Sequence, residues 1–249
     1  DVDGDGWPDI FLTHLAGESN TLYRNRGDAS FVDETAARGL HGPSLPYTGF
    51  GTGMPDLDND GDLDIVVANG RINRGPVVPG VPEGFLQPYA EPNAVFLNDG
   101  SGHFAVPDVS VSSLSDRPGM SRGLALGDPD DDGRLDLFVL ETGRELRRLE
   151  SRGGAGWIGF SVTDPELGDR HAIGAVLELH VGEIHRRFVV NPNVGYLSSN
   201  DPRIHAGLGD RSRVDSVVVT WPDGGIEVYR DLPGGRYHAV RRGEGSLRS

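Results

Sequence analysis

The chain has 249 residues, carries a formal net charge of −15 and contains no cysteine. This acidity excludes nucleic acids and anionic membranes as partners, because both are negatively charged, and a chain without cysteine forms no disulfide. No apolar run approaches the roughly 18 residues of a membrane span, while 37 glycines and 17 prolines between short apolar runs predict an all-β protein.

The first predicted element is an acidic loop, loop 1, at residues 1–9. Its pattern, Asp-x-Asp-x-Asp-Gly-x-x-Asp, returns as loop 2 at 56–64 and loop 3 at 128–136. Crowded carboxylates repel one another unless a hard cation lies between them, and calcium accepts about six to eight oxygen ligands. The pattern predicts three calcium ions, with side-chain ligands at positions 1, 3, 5 and 9 and a backbone carbonyl at position 7. The predicted ligands are Asp1, Asp3, Asp5, Trp7 and Asp9 in loop 1, Asp56, Asp58, Asp60, Asp62 and Asp64 in loop 2, and Asp128, Asp130, Asp132, Arg134 and Asp136 in loop 3.

Each loop leads into a short apolar run, at Pro8–Leu12, Leu63–Val67 and Leu135–Val139. Runs of this length and composition predict buried strands. An EF-hand would instead need a glutamate at position 12 and flanking helices, whereas position 12 is a leucine or a valine here. We therefore predict calcium-clasped β-turns rather than EF-hands.

A predicted hairpin follows each of the first two loops, at Leu22–Asp33 and Val95–Ala105. Both have the order strand, Asn/Gly turn, strand, and Leu146–Leu149 is a degenerate third copy. A strand, an acidic loop, a second strand and a hairpin give four strands per repeat, which is typical of a β-propeller blade.

The second repeat is lengthened by Arg71–Pro92, which contains five prolines. That density excludes a central strand. The segment is either a surface excursion or a binding loop, since long ordered loops often carry function.

The acidic loops end before about Gly153, and runs that alternate apolar and polar residues follow. Such alternation predicts half-buried antiparallel strands. The runs lie at Trp157–Val162, Ala175–Val181, His185–Val190, Ser216–Trp221 and Tyr237–Val240. We predict two domains: propeller repeats over 1–152, as the C-terminal part of a longer propeller, and a small antiparallel β-sandwich over 153–245.

Both parts resemble one known arrangement. The acidic repeats resemble FG-GAP or VCBS repeats, as in the propeller of integrin α-subunits. The C-terminal part resembles the ASPIC/UnbV domain, most specifically at Gly195–Gly209 and Val214–Gly224, while His171–Ala175 and the insert ending at Tyr89–Asn98 also fit the pattern. The resemblance implies the cartilage-acidic-protein-like family, which are secreted calcium-binding propeller proteins with a C-terminal sandwich.

Three repeats do not close a propeller, which needs at least about four blades. The sequence therefore predicts either further blades upstream of Asp1 or an open arc with exposed sheet edges. Because the chain begins inside loop 1, we expect a fragment or a processed form. A secreted, extracellular or periplasmic location is implied by the resemblance alone.

A polar cluster within Gly195–Gly209 is the other candidate site. Tyr196, Asn200, Arg203 and His205 could line a ligand pocket, or the segment could be a network of turns in which short polar side chains bond the backbone. The second interpretation predicts a buried Leu208.

Two functions stay open from the sequence. The first is a secreted or cell-surface calcium-binding propeller protein that binds proteins or glycans. The second is a calcium-dependent enzyme or substrate-shaping protein of bacterial specialised metabolism, with a small-molecule ligand and a metal that organises it; arginine without lysine also indicates a bacterial source. No Ser-His-Asp order or nucleophile elbow is recognisable, so no catalytic residue is assigned. An aromatic-lined pocket would favour the second function and a flat polar face the first.

Overall fold

The computed structural model describes residues 1–108 and 113–247. Within these ranges the chain forms strands joined by turns, so the predicted all-β class is confirmed. The strands are β1 (Ile10–Leu12), β2 (Thr21–Asn25), β3 (Phe31–Asp33), β4 (Gly49–Gly53), β5 (Ile65–Asn69), β6 (Ala94–Asn98), β7 (Phe104–Ala105), β8 (Ser121–Gly127), β9 (Asp136–Glu141), β10 (Arg147–Leu149), β11 (Gly156–Asp164), β12 (Arg170–His171), β13 (Val176–Val181), β14 (Ile184–Val189), β15 (Ile204–Gly209), β16 (Arg213–Thr220), β17 (Ile226–Pro233), β18 (Tyr237–Arg241) and β19 (Ser246–Leu247).

Helices are short. The α-helix α1 spans His41–Ser44, and 3-10 helices span Gln87–Tyr89 and Pro165–Leu167. None of the helices in the described ranges has the length and hydropathy that crossing a bilayer requires.

Three antiparallel sheets follow one another along the repeats, with the orders β1-β2-β3, β4-β5-β6-β7 and β10-β9-β8. Loop 2 joins β4 to β5, and loop 3 joins β8 to β9, so each loop connects two paired strands. The second sheet has the predicted four strands, while the described residues give the first and third sheets three each. The arrangement is a partial propeller of three blade-like sheets.

Strand β5 shows how these sheets pack. All five of its residues are buried. Successive side chains of a strand point to opposite faces of the sheet, so both faces of β5 must be covered. Ile65 and Val67 join one core, with Leu22, Leu40, Phe96 and Phe104. Val66 and Ala68 join a second core, with Val95, Leu124 and Val139. The second sheet is therefore packed between the first and the third.

The Pro-rich insert Arg71–Pro92 contains no strand, as predicted, and only the 3-10 helix at Gln87–Tyr89. Arg71 holds its two ends together. The Arg71 guanidinium donates to the carbonyl of Pro76 at 2.8 Å and pairs with the buried Glu91 carboxylate at 3.1 Å. The insert is thus an ordered excursion rather than a free linker.

The C-terminal part is a sandwich of two sheets. One has the order β14-β13-β16-β17-β19, and the other contains β12, β11 and β15, with β18 also pairing β11. The β11–β18 pair is parallel, so the predicted purely antiparallel sandwich needs this correction. Between the sheets lies a core that includes Phe160, Leu177, Leu208 and Trp221.

Strand β15 was not predicted, because its glycines indicated turns. Ile204, Ala206 and Leu208 alternate along it and are all buried in the sandwich core. Leu208 is buried as expected, but it lies in a strand paired with β11 rather than in a turn network. His205 and Gly207 alternate with these residues along β15 and are not part of that core.

Candidate metal centres

The three acidic loops share one backbone geometry. Position 4 has a left-handed φ of 69°, 62° and 57° in loops 1, 2 and 3, and the position-6 glycine has φ of 92°, 105° and 79°. The angles at position 6 explain why this residue is a glycine in every loop, because a side chain would strain a backbone with positive φ. In every loop the N–H of position 7 donates to the carboxylate at position 5, over 2.9, 2.8 and 3.0 Å. Repeated sequence thus gives a repeated turn.

In each loop three carboxylates converge, so that one oxygen from each lies within 4.8 Å of the others. The clusters are Asp1, Asp3 and Asp9; Asp56, Asp58 and Asp60; and Asp128, Asp130 and Asp132. All nine residues are predicted ligands. Of the other predicted side-chain ligands, Asp5, Asp64 and Asp136 lie outside these clusters, and ligation by the carbonyls of Trp7, Asp62 and Arg134 stays a prediction.

Several clustered oxygens are buried without a hydrogen-bond donor. Asp56 is 5% exposed, and its Oδ1 has no hydrogen-bond partner among the described residues. Oδ1 of Asp1 and Oδ1 of Asp3 are in the same situation. A buried carboxylate oxygen without a donor is costly. The donor set, all oxygen and negatively charged, therefore fits a hard cation.

At loop 2 the effect of burial on the carboxylates outweighs the opposing charge of Arg186, which lies nearby. Burial and then the nearby charge of Asp60 raise the pKa of Asp56 to about 7, and burial raises the pKa of Asp64 to about 7. In the described ranges no arginine ion-pairs with an aspartate of loop 2. By contrast, Arg38 lies 3.1 Å from Asp3 in loop 1, and Arg148 lies 3.1 Å from Asp130 in loop 3.

The position-9 aspartates fasten each loop to its sheet. Asp64 accepts from the N–H of Leu57 at 3.1 Å through Oδ2 and from the N–H of Asn98 at 2.9 Å through Oδ1. Asp9 accepts two backbone N–H groups in the same way, at 2.8 Å each. In loop 3, Asp136 accepts one backbone N–H, from Ser151 at 3.0 Å. Sequence reasoning treated position 9 only as a ligand and missed this anchoring role.

Asp64→Ala is expected to destabilise the fold with or without calcium. Two N–H groups lose their carboxylate acceptor, at about 1–3 kcal/mol for each donor left unpaired, so we expect a loss near 3 kcal/mol. Urea denaturation in EDTA measures it. Asp60→Ala is the matched control, because Asp60 is exposed and bonds only within its turn; it should change little in EDTA. Equal small losses for both variants would contradict the anchoring role.

The residues predicted as ligand contacts lie where the sandwich meets the repeats. Tyr196 packs edge-on against Phe50, with ring centroids 5.5 Å apart. Asn200 Oδ1 accepts from the N–H of Leu126 at 3.0 Å, so it pairs with the edge of β8. These two contacts join the Gly195–Gly209 segment to the second and third sheets.

Arg203 and His205 contact loop 3. Arg203 donates to the carbonyl of Asp128 and to the carboxylate of Asp131, both at 2.6 Å. His205 Nε2 lies 3.0 Å from the carbonyl of Gly133, and burial lowers the pKa of this imidazole. Both side chains thus reach across to the repeats.

A cavity of about 350 Å³ lies at the same junction. Its lining is mostly apolar and includes Phe11, Met54, Phe188 and Val194, together with Arg187. Arg203 and His205 line it as well, although they also bond loop 3. The volume is in the range of small-molecule sites.

Three successive sheets, each with one acidic loop of the same sequence pattern, make this part of the chain a repeat protein. The FG-GAP-like repeat profile matches residues 1–67 and 56–139, and the chain belongs to that family. The profile named ASPIC and UnbV matches residues 166–247. Both parts of the resemblance predicted from the motifs are therefore confirmed.

The chain is also similar to cartilage acidic protein 1. It is 27% identical to the Homo sapiens protein over 288 residues, which covers 93% of this chain and 41% of that protein. It is 27% identical to the Mus musculus protein over 273 residues, which covers 87% of this chain and 40% of that protein. The chain thus spans about 41% of the length of the human relative.

Proposed function

We propose that the chain is a calcium-binding module of an extracellular protein and binds three Ca²⁺ ions, one in each acidic loop. The observation that carries this is the convergence of three carboxylates in every loop, with a buried, donor-free Asp56 Oδ1 in loop 2. When bound, calcium supplies positive charge that offsets carboxylate repulsion. The turn of each loop brings the carboxylates together, at positions 1, 3 and 9 in loop 1 and at positions 1, 3 and 5 in loops 2 and 3.

The ligand chemistry favours calcium over other cations. Zinc prefers nitrogen and sulfur ligands, and the clusters contain carboxylates alone. Magnesium demands near-octahedral geometry and keeps several waters. A flexible loop with four aspartates and a backbone carbonyl suits the larger coordination number of calcium.

We propose the same domain boundaries as the sequence predicts, with repeats over 1–152 and the sandwich over 153–245. Similarity to cartilage acidic protein 1 supports an extracellular location and a protein or glycan partner. Three bound calcium ions would bring the formal charge from −15 to −9, so the surface stays acidic. The cavity at the junction supports a small-molecule ligand as the second candidate.

Isothermal titration after chelator treatment tests the metal and its identity. We expect calcium to bind to all three loops, and magnesium to bind at least tenfold more weakly, because the loops supply more oxygens than magnesium accepts alongside its waters. A chain that binds no calcium, or binds magnesium equally well, would contradict the proposal.

A further inference from the structure

Strand β15 of the sandwich lies directly on loop 2. The N–H of Gly207 donates to Asp56 Oδ2 at 3.2 Å, and the N–H of Gly209 donates to the carbonyl of Asn59 at 2.9 Å. A Cβ on Gly207 would overlap the Asp56 carboxylate and the Asn59 backbone. Glycine at 207 is therefore what lets the sandwich backbone reach a predicted ligand of loop 2.

Loop 3 is held by the sandwich in a similar way. The hydroxyl of Tyr237 donates to Asp128 Oδ2 at 3.0 Å, across 109 residues of sequence. The ring of Trp157 lies against Gly133 and stacks on His205, with ring centroids 5.9 Å apart. Arg203 adds the contacts to Asp128 and Asp131 described above.

Loop 1 has no such partner among the described residues. Its aspartates bond their own loop and Arg24, Asn25 and Arg38, all within the repeats. Among residues 1–108 and 113–247, the sandwich thus bonds two of the acidic loops and leaves the third to the repeats. Loop 1 serves as an internal reference for the effect of the sandwich.

We propose that Gly207 and Tyr237 complete loops 2 and 3 as positioning groups, so that cation binding and docking of the sandwich stabilise each other. This deepens the proposed function and rests on it. Each group bonds one oxygen of the position-1 carboxylate and thereby fixes how the carboxylate faces the cluster. Such outer partners typically change metal affinity about ten- to a hundredfold. The effect is reciprocal: if docking of the sandwich raises the affinity of a loop for the cation, binding of the cation stabilises the docked sandwich by the same free energy.

Tyr237→Phe tests the positioning role, because it removes only the hydroxyl and leaves the ring beneath Arg203. We expect the loop 3 site to weaken about ten- to a hundredfold in isothermal titration, while at least one site, that of loop 1, stays unchanged. Tyr229→Phe is the matched control. Its hydroxyl donates to Glu227 and to the carbonyl of Arg241, both inside the sandwich, and bonds no acidic loop. Loss of this hydroxyl should leave every calcium affinity unchanged. Circular dichroism in EDTA checks that both variants fold.

Tryptophan emission reads the docking itself. Trp157 packs on loop 3, Trp221 is 2% exposed in the sandwich core, and Trp7 is 50% exposed. In a Trp7→Phe background, which keeps the position-7 carbonyl, chelation should shift the emission to the red as Trp157 leaves loop 3. The shift should disappear when Trp157→Phe is added.

The possible outcomes separate this proposal from the calcium assignment. No calcium binding in the parent chain would overturn the proposed function and this inference together. Normal calcium binding, with Tyr237→Phe indistinguishable from the parent and no emission shift on chelation, would overturn the inference alone. A weakened site in Tyr237→Phe but not in Tyr229→Phe supports it.

Discussion

Chelation of calcium is expected to lower the midpoint of thermal unfolding by roughly 15–30 °C. A ligand that binds only the native state at a hundredfold excess over its Kd contributes about 2.7 kcal/mol, and three sites contribute about 8 kcal/mol. For a chain of this size, 1 kcal/mol shifts the midpoint by about 2–4 °C. Thermal melts followed by circular dichroism, with saturating calcium and with EDTA, measure the difference.

Single-loop variants show whether that stabilisation comes from the loops. Asp60→Ala and Asp132→Ala each remove one carboxylate from a cluster. Each should lower the melting temperature in calcium and leave it nearly unchanged in EDTA, because no ion remains to be lost there. Equal losses in both conditions would mean that these residues only support their turns.

Leu208→Ala is expected to cost about 2–5 kcal/mol of unfolding free energy, as a core truncation that leaves a cavity. Leu208 is 4% exposed and lies in the sandwich core, next to Gly207, which contacts Asp56 of loop 2. Leu247→Ala is the matched control: Leu247 is 82% exposed, and its loss should stay within about 0.5 kcal/mol. Urea denaturation compares the two, and a Leu208→Ala cost as small as the control would contradict the packing described for β15.

The acidic loops and their strands could be predicted because their signals are local. Nine residues contain every carboxylate of loop 2 and the glycine that its turn requires, and the apolar run behind it becomes β5. Strand β15 escaped prediction because Gly207 and Gly209 have the composition of a turn. The reason for glycine at 207 lies in Asp56, 151 residues away.

Contacts between the two parts of the chain were equally hidden. Arg203 and His205 were predicted as ligand contacts or turn residues; both bond loop 3, about 70 residues earlier in the chain, and their role as ligand contacts stays a prediction. The anchoring of Asp64 by Asn98 also depends on a neighbouring strand. Sequence spacing predicts what a turn brings together, while tertiary packing decides which polar group meets it.

The most direct test of the central claim is to count the calcium ions bound per chain by native mass spectrometry. We expect three ions on the parent chain, two on Asp60→Ala and two on Asp132→Ala, with one fewer again when the two changes are combined. A parent chain that carries no calcium, or variants that carry as many ions as the parent, would contradict the assignment of one calcium ion to each acidic loop.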